Sequence, residues 1–161
     1  MFRRMTSAKL MWTGVAIACA LGAGALQFAW ATNGSGAGST TVAGPVLLEE
    51  MDVKGKTDTE EVKLKTKGMW TARVVHFHFA PRGNTGWHSH PGPVFVMVTA
   101  GTLTLEHSDG SVADYPAGTG FVEDPGRVHI ARNESATEDM ELDAFILIPL
   151  GAPVRIDEPA P

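Results

Sequence analysis

From Val46 onward the chain is built of short runs rich in β-branched and aromatic residues, separated by glycine, proline and aspartate, which is the pattern of strands and turns. The runs predict strands over 46–48, 61–65, 71–79, 94–99, 102–107, 111–115, 120–123, 128–132 and 140–148. No stretch after residue 45 carries a helical period. Strand side chains alternate between two faces, so Val94, Val96 and Val98 continue the face shared by His88 and His90 and should point to an interior if the register runs unbroken, while Phe95 and Met97 pack outside it. Ala100-Gly101 and Asp109-Gly110 have the chemistry of hairpin turns, because glycine adopts the positive φ such turns need. Many short strands joined by tight turns imply an all-β sandwich or closed barrel.

The ends of the chain read differently. Residues 1–31 have a basic start (Arg3, Arg4, Lys9), an apolar stretch and Ala29-Trp30-Ala31, the form of an export signal cleaved before Thr32. The alternative is an uncleaved N-terminal membrane anchor with the domain outside the cytoplasm, since the apolar stretch nearly suffices to span a bilayer. Either way the expected location is extracytoplasmic, periplasmic or secreted. Residues 32–45 are mostly Ser, Thr, Gly and Ala and predict a flexible linker. Residues 46–150 form the expected barrel domain, and residues 151–161 a proline-rich tail that wraps the surface or frays.

Charge and cysteine usage narrow the function. The formal charge is −5, and becomes −8 without the three basic residues of the N-terminal segment, a poor match to a phosphate backbone. Nucleic acid is therefore excluded as a partner, and membrane contact is expected only through an uncleaved N-terminal segment. Cys19, the single cysteine, falls in the segment expected to be removed, which leaves no disulfide and no thiolate chemistry in the domain. No phosphate-binding glycine loop, nucleophile elbow or zincin motif is present.

The remaining chemistry lies in histidines. Gly86-Trp87-His88-Ser89-His90 places two imidazoles at i and i+2 on an extended segment, hence on one side, and Pro125-Gly126-Arg127-Val128-His129 brings a third from a distant strand. These two segments resemble the paired motifs of the cupin superfamily. The first motif maps onto Gly83, His88, His90, Val94 and Gly101, with the first glycine displaced by one residue and valine replacing the usual glutamate. The second maps onto Gly118, Pro125-Gly126, His129 and Asn133, with the proline shifted by one and Thr119 standing where aspartate is common. The resemblance covers about residues 46–150. It implies a double-stranded β-helix (cupin, or jelly-roll) barrel of two antiparallel sheets, with a divalent transition metal (Fe, Mn, Zn, Cu or Ni) held by His88, His90 and His129 near its wider mouth. Domains of this family often pair through their sheets, so a homodimer is an open expectation.

Without a glutamate at 94, the resemblance implies three neutral ligands and a more electrophilic ion, or else a degenerate centre. His76 and His78 also share a face, either lining the cavity or facing solvent. Among the carboxylates, Glu123, Asp124, Glu141 and Asp143 are candidates to reach a cavity. Glu123 or Asp143 could serve as acid, base or substitute ligand, but an outward position is favoured for both because half of all strand side chains face out. Trp87 is either a substrate wall or a packed barrel residue, Tyr115 closes a strand end, and Asn133 fixes a loop by hydrogen bonding. No catalytic residue is assigned. The leading expectation is an exported metal-dependent dioxygenase or oxidase of a small organic molecule. The alternatives are a non-catalytic ligand- or metal-binding sensor and a zinc-type hydrolase that activates water.

Overall fold

The inward–outward alternation expected for the central strand is realised in full: Val94, Val96 and Val98 are buried, and Phe95 and Met97 are exposed. The computed structural model describes residues 32–161, so the segment expected to be an export signal or anchor, with Cys19, lies outside the described residues. No helix occurs among the described residues, and twelve strands do: β1 (Ser35–Leu48), β2 (Asp52–Lys56), β3 (Glu61–Lys65), β4 (Trp70–Asn84), β5 (His88–Ser89), β6 (Val94–Ala100), β7 (Thr102–His107), β8 (Val112–Pro116), β9 (Gly120–Glu123), β10 (His129–Arg132), β11 (Met140–Pro149) and β12 (Ile156–Asp157).

Ten of these strands form two antiparallel layers, β1-β4-β11-β6-β9 and β12-β5-β10-β7-β8, joined where Arg132 of β10 pairs with Asn84 of β4. The layers face each other across one core, a nearly closed barrel of the double-stranded β-helix type. Register follows parity. β11 pairs with β4 without a slip, placing Met140 opposite Phe79, Leu142 opposite Phe77 and Ala144 opposite Val75 on the inner face. The intervening pairs Asp143–His76 and Glu141–His78 lie on the outer face. A one-residue slip would put every carboxylate of β11 inside, so the buried face enforces this register. The second layer adds Leu103, Leu105 and Ala131 to the core.

One expectation about the ends is corrected and one is extended. Residues 35–48 are a strand rather than a tether: β1 pairs antiparallel with β4, from Ser35 opposite Asn84 to Leu48 opposite Trp70, with three irregularities. Its side chains are exposed almost throughout. The segment buries nothing and so reads as a linker, while its ordering comes from backbone hydrogen bonds along the edge of β4. The C-terminal tail does wrap the barrel, and it goes further than a surface strap by adding β12 beside β5. The β2–β3 ribbon is a separate, exposed two-stranded sheet; of its two strands only β3 is legible from alternation.

Candidate metal centre

The backbone delivers two of the three histidines as a cross-strand pair. His88 on β5 lies directly opposite His129 on β10, and His90 follows two residues after His88 on the same side. Gly86 sets the entry to this segment at φ 69°, and a Cβ there would come within 2.0 Å of the carbonyl oxygen of Thr32. Only glycine fits so close an approach. The neighbouring Trp87 amide donates to Thr32 Oγ1 at 2.6 Å, so Thr32 clamps the loop that carries the ligands.

All three rings are buried and fixed in the same tautomer by main-chain acceptors. Nδ1 of His88 donates to Gly86 O at 2.9 Å, Nδ1 of His90 to Val154 O at 2.7 Å and Nδ1 of His129 to Arg127 O at 2.9 Å. With the proton held on Nδ1, each Nε2 presents a lone pair. One nitrogen of each ring lies within 4.8 Å of those of the other two. His129 is 1% exposed, and its Nε2 is buried without a hydrogen-bond partner. Three converging lone pairs, one of them orphaned inside the barrel, fit a divalent transition metal, and backbone carbonyls behind imidazoles are the usual support of such a site.

A carboxylate is also present. Glu123 is 7% exposed, with Oε2 3.3 Å from His90 Nε2 and Oε1 3.3 Å from His129 Nε2. The outward position expected for it is corrected: Glu123 shares the inner face with Phe121 and stands opposite Val94 across β6 and β9. Burial, then the positive charges of His129 and Arg155, push His88 down to about 2. Burial lowers His90 as well, against the pull of Glu123. Burial also opposes charge on His129, but the Glu123 carboxylate outweighs it and raises this one ring. Without metal, His129, beside Glu123, is thus the ring of the three that takes up a second proton most readily.

His88, His90 and Glu123 open onto a cavity of about 250 Å³ between the layers. Its wall is largely apolar, with Phe77, Val96, Leu142 and Ile146 among the lining residues, while Thr85 and Arg155 supply polar groups. Arg155 is held by Asp157, Nε to Oδ1 at 2.5 Å.

Other candidates fall outside the cavity. His76 pairs with Asp143 at 2.9 Å and His78 with Asp139 at 3.2 Å on the outer face, so the solvent-side alternative holds for both. Asp124 is exposed and Glu141 is half-buried on the outer side. Trp87 is buried without lining the cavity, and Tyr115 stacks on Phe121 with ring centroids 4.1 Å apart. Asn133 is a structural clamp: its Nδ2 donates to Phe79 O, Ala80 O and Glu138 O, and its Oδ1 accepts from Ser135 N. Sequence reasoning missed Arg155 and the Val154 carbonyl, because the proline-rich tail gives no sign that it returns to the site.

The family model described as "Cupin domain" matches residues 75–148, from within β4 through most of β11. Residues 75–148 thus match a cupin domain, and that stretch carries the strands from β5 to β10 and both histidine motifs. Similar solved structures include a protein with a double-stranded β-helix domain from Klebsiella pneumoniae, with 22% identity, a TM-score of 0.46, and coverage of 68% of this chain and 80% of that one. A polyketide cyclase from Streptomyces resistomycificus shows 18% identity and a TM-score of 0.45 over 55% of this chain and 70% of that one. A cupin superfamily protein from Desulfitobacterium hafniense shows 12% identity and a TM-score of 0.44 over 65% and 79%. No curated protein matches the sequence.

Proposed function

We propose that the protein is an exported metal-dependent cupin in which His88, His90 and His129 hold one divalent transition ion, and that it oxidises a small organic molecule with molecular oxygen. The observation that carries this reading is the convergence of three Nε2 lone pairs, each fixed from behind by a main-chain carbonyl, at the end of an apolar cavity. A bound ion would supply a Lewis acid for an oxygen or sulfur donor of the substrate and, if redox-active, a route for electrons to oxygen. The chain's own residues do the rest. Phe77, Val96, Leu142 and Ile146 exclude water and receive an apolar portion of the molecule, and the Arg155 guanidinium favours an anionic one. The export assignment rests on the basic, apolar and A-x-A features of residues 1–31.

One observation favours binding without turnover. Besides the histidines, Glu123 and Arg155 are the ionisable groups on the cavity wall, and Glu123 lies against two of those histidines. If that carboxylate is committed to the centre, no free acid or base remains for proton transfer. Oxygen consumption by the metal-loaded protein, screened against small apolar carboxylates, diketones and thiols, separates the readings. Substrate-dependent uptake abolished in His129→Ala supports the oxidase. Saturable binding with neither uptake nor product supports the sensor.

A further inference from the structure

The cavity wall holds a carboxylate where the family pattern gives no reason to expect one. Val94 occupies the motif position that usually carries glutamate, yet its direct cross-strand partner on β9 is Glu123. Opposed residues of an antiparallel pair project to the same face with Cβ atoms about 5 Å apart, so a carboxylate at either position enters the cavity at nearly the same place. We propose that Glu123 completes the metal centre as a fourth ligand, delivered from β9 in place of the glutamate missing at 94. The inference rests on the reading that the three histidines hold a metal.

Three features of the geometry support it. Glu123 is as deeply buried as the histidines, and its two oxygens face two different Nε2 atoms at 3.3 Å each. A carboxylate facing imidazole lone pairs at that range needs a proton or a metal ion between them, and one metal ion would satisfy both contacts at once. Ligand atoms about 2.1 Å from an ion are about 3.0 Å apart at right angles and about 3.4 Å apart at the tetrahedral angle, so 3.3 Å matches an edge of a coordination polyhedron. The orphaned Nε2 of His129 faces the same space. Three neutral imidazoles and one carboxylate leave a divalent ion with one net positive charge. The strongly electrophilic ion expected from the valine at 94 is then not formed, and the oxygen ligand should favour a hard ion such as Mn²⁺ more than three nitrogens alone would.

The test uses the tag-free protein and reads metal binding rather than activity. Mn²⁺ and Co²⁺ affinities by chelator competition, with the visible spectrum of the Co²⁺ form, are compared for the wild type, Glu123→Gln and the exchange Val94→Glu/Glu123→Val. The expected result is Mn²⁺ binding at least about tenfold weaker in Glu123→Gln, with an altered Co²⁺ spectrum, and recovery of most of the loss in the exchange. Equal Mn²⁺ affinity and an unchanged Co²⁺ spectrum in Glu123→Gln would overturn the fourth ligand while leaving the histidine centre standing. A folded wild type that takes neither ion would overturn both. If Glu123→Gln does not fold, the exchange decides: wild-type-like Mn²⁺ binding upholds the role of the carboxylate, and weak binding removes it.

Discussion

Asn133 offers a perturbation whose cost can be worked out bond by bond. Its side chain is 3% exposed, and its Nδ2 donates to three carbonyls, Phe79 O at 3.3 Å, Ala80 O at 3.1 Å and Glu138 O at 2.8 Å. Its Oδ1 accepts from Ser135 N at 3.1 Å. The residue therefore ties the middle of β4 to the turn between β10 and β11. With two hydrogens shared among three carbonyls, Asn133→Ala removes the equivalent of about three neutral hydrogen bonds, worth about 1 kcal/mol each. The buried carbonyls left unpaired keep the expected loss near 3 kcal/mol even if the turn relaxes somewhat. For a domain of this size that lowers Tm by about 10 °C. Asn133→Asp should be no better, since it puts a negative charge against three carbonyl oxygens. Calorimetry of the metal-free proteins measures the shift. A drop of less than about 3 °C in the alanine variant would mean a cost below 1 kcal/mol and would refute the clamp.

Three further outcomes follow from other parts of the barrel. Gly86→Ala must hold a positive φ and meets Thr32 O, so it should cost about 2 kcal/mol or more and displace the histidine segment; an unchanged melting curve would contradict the close approach. In the metal-free protein His88 is held at about 2 against 6.5 when unfolded, and His90 is lowered too. Their unfolded states then take up protons that the folded state refuses. Stability is fully present above pH 6.5 and falls as pH drops below it, by up to about 1.4 kcal/mol per pH unit for His88 alone; denaturant melts of wild type and His88→Gln should diverge in that window, and parallel curves would argue against a buried neutral ring. Finally, amides of β1 paired with β4 should exchange far more slowly than an unstructured segment. Random-coil exchange over 37–43 would return that stretch to the tether its composition suggests.

The barrel and its histidines were legible because the features that specify them are local. The alternation of apolar and charged residues in 140–143 assigns inner and outer faces directly, and His-x-His spacing on an extended segment puts both rings on one side, a parity that carried forward sets Val94, Val96 and Val98 inside. β1 was not legible because an edge strand of Gly, Ser and Thr buries no side chain, and backbone pairing leaves no mark in composition. Glu123 was ambiguous for a related reason. Phe121 and Val122 are both apolar, so β9 does not declare which parity faces in, and only its register with β6 sets Glu123 opposite Val94. The contributions of Val154 and Arg155 depend on a return of the tail to β5, a long-range pairing that two short strands cannot announce.

The central claim is that three buried imidazoles, locked by main-chain carbonyls, are a metal site. Its most direct test is the metal content of the protein purified without a histidine tag, beside His88→Ala/His90→Ala/His129→Ala. The account predicts close to one divalent transition ion per chain in the wild type and almost none in the triple variant. Little metal in either protein, even after reconstitution with Fe²⁺, Mn²⁺, Zn²⁺, Cu²⁺ and Ni²⁺ in turn, would contradict it.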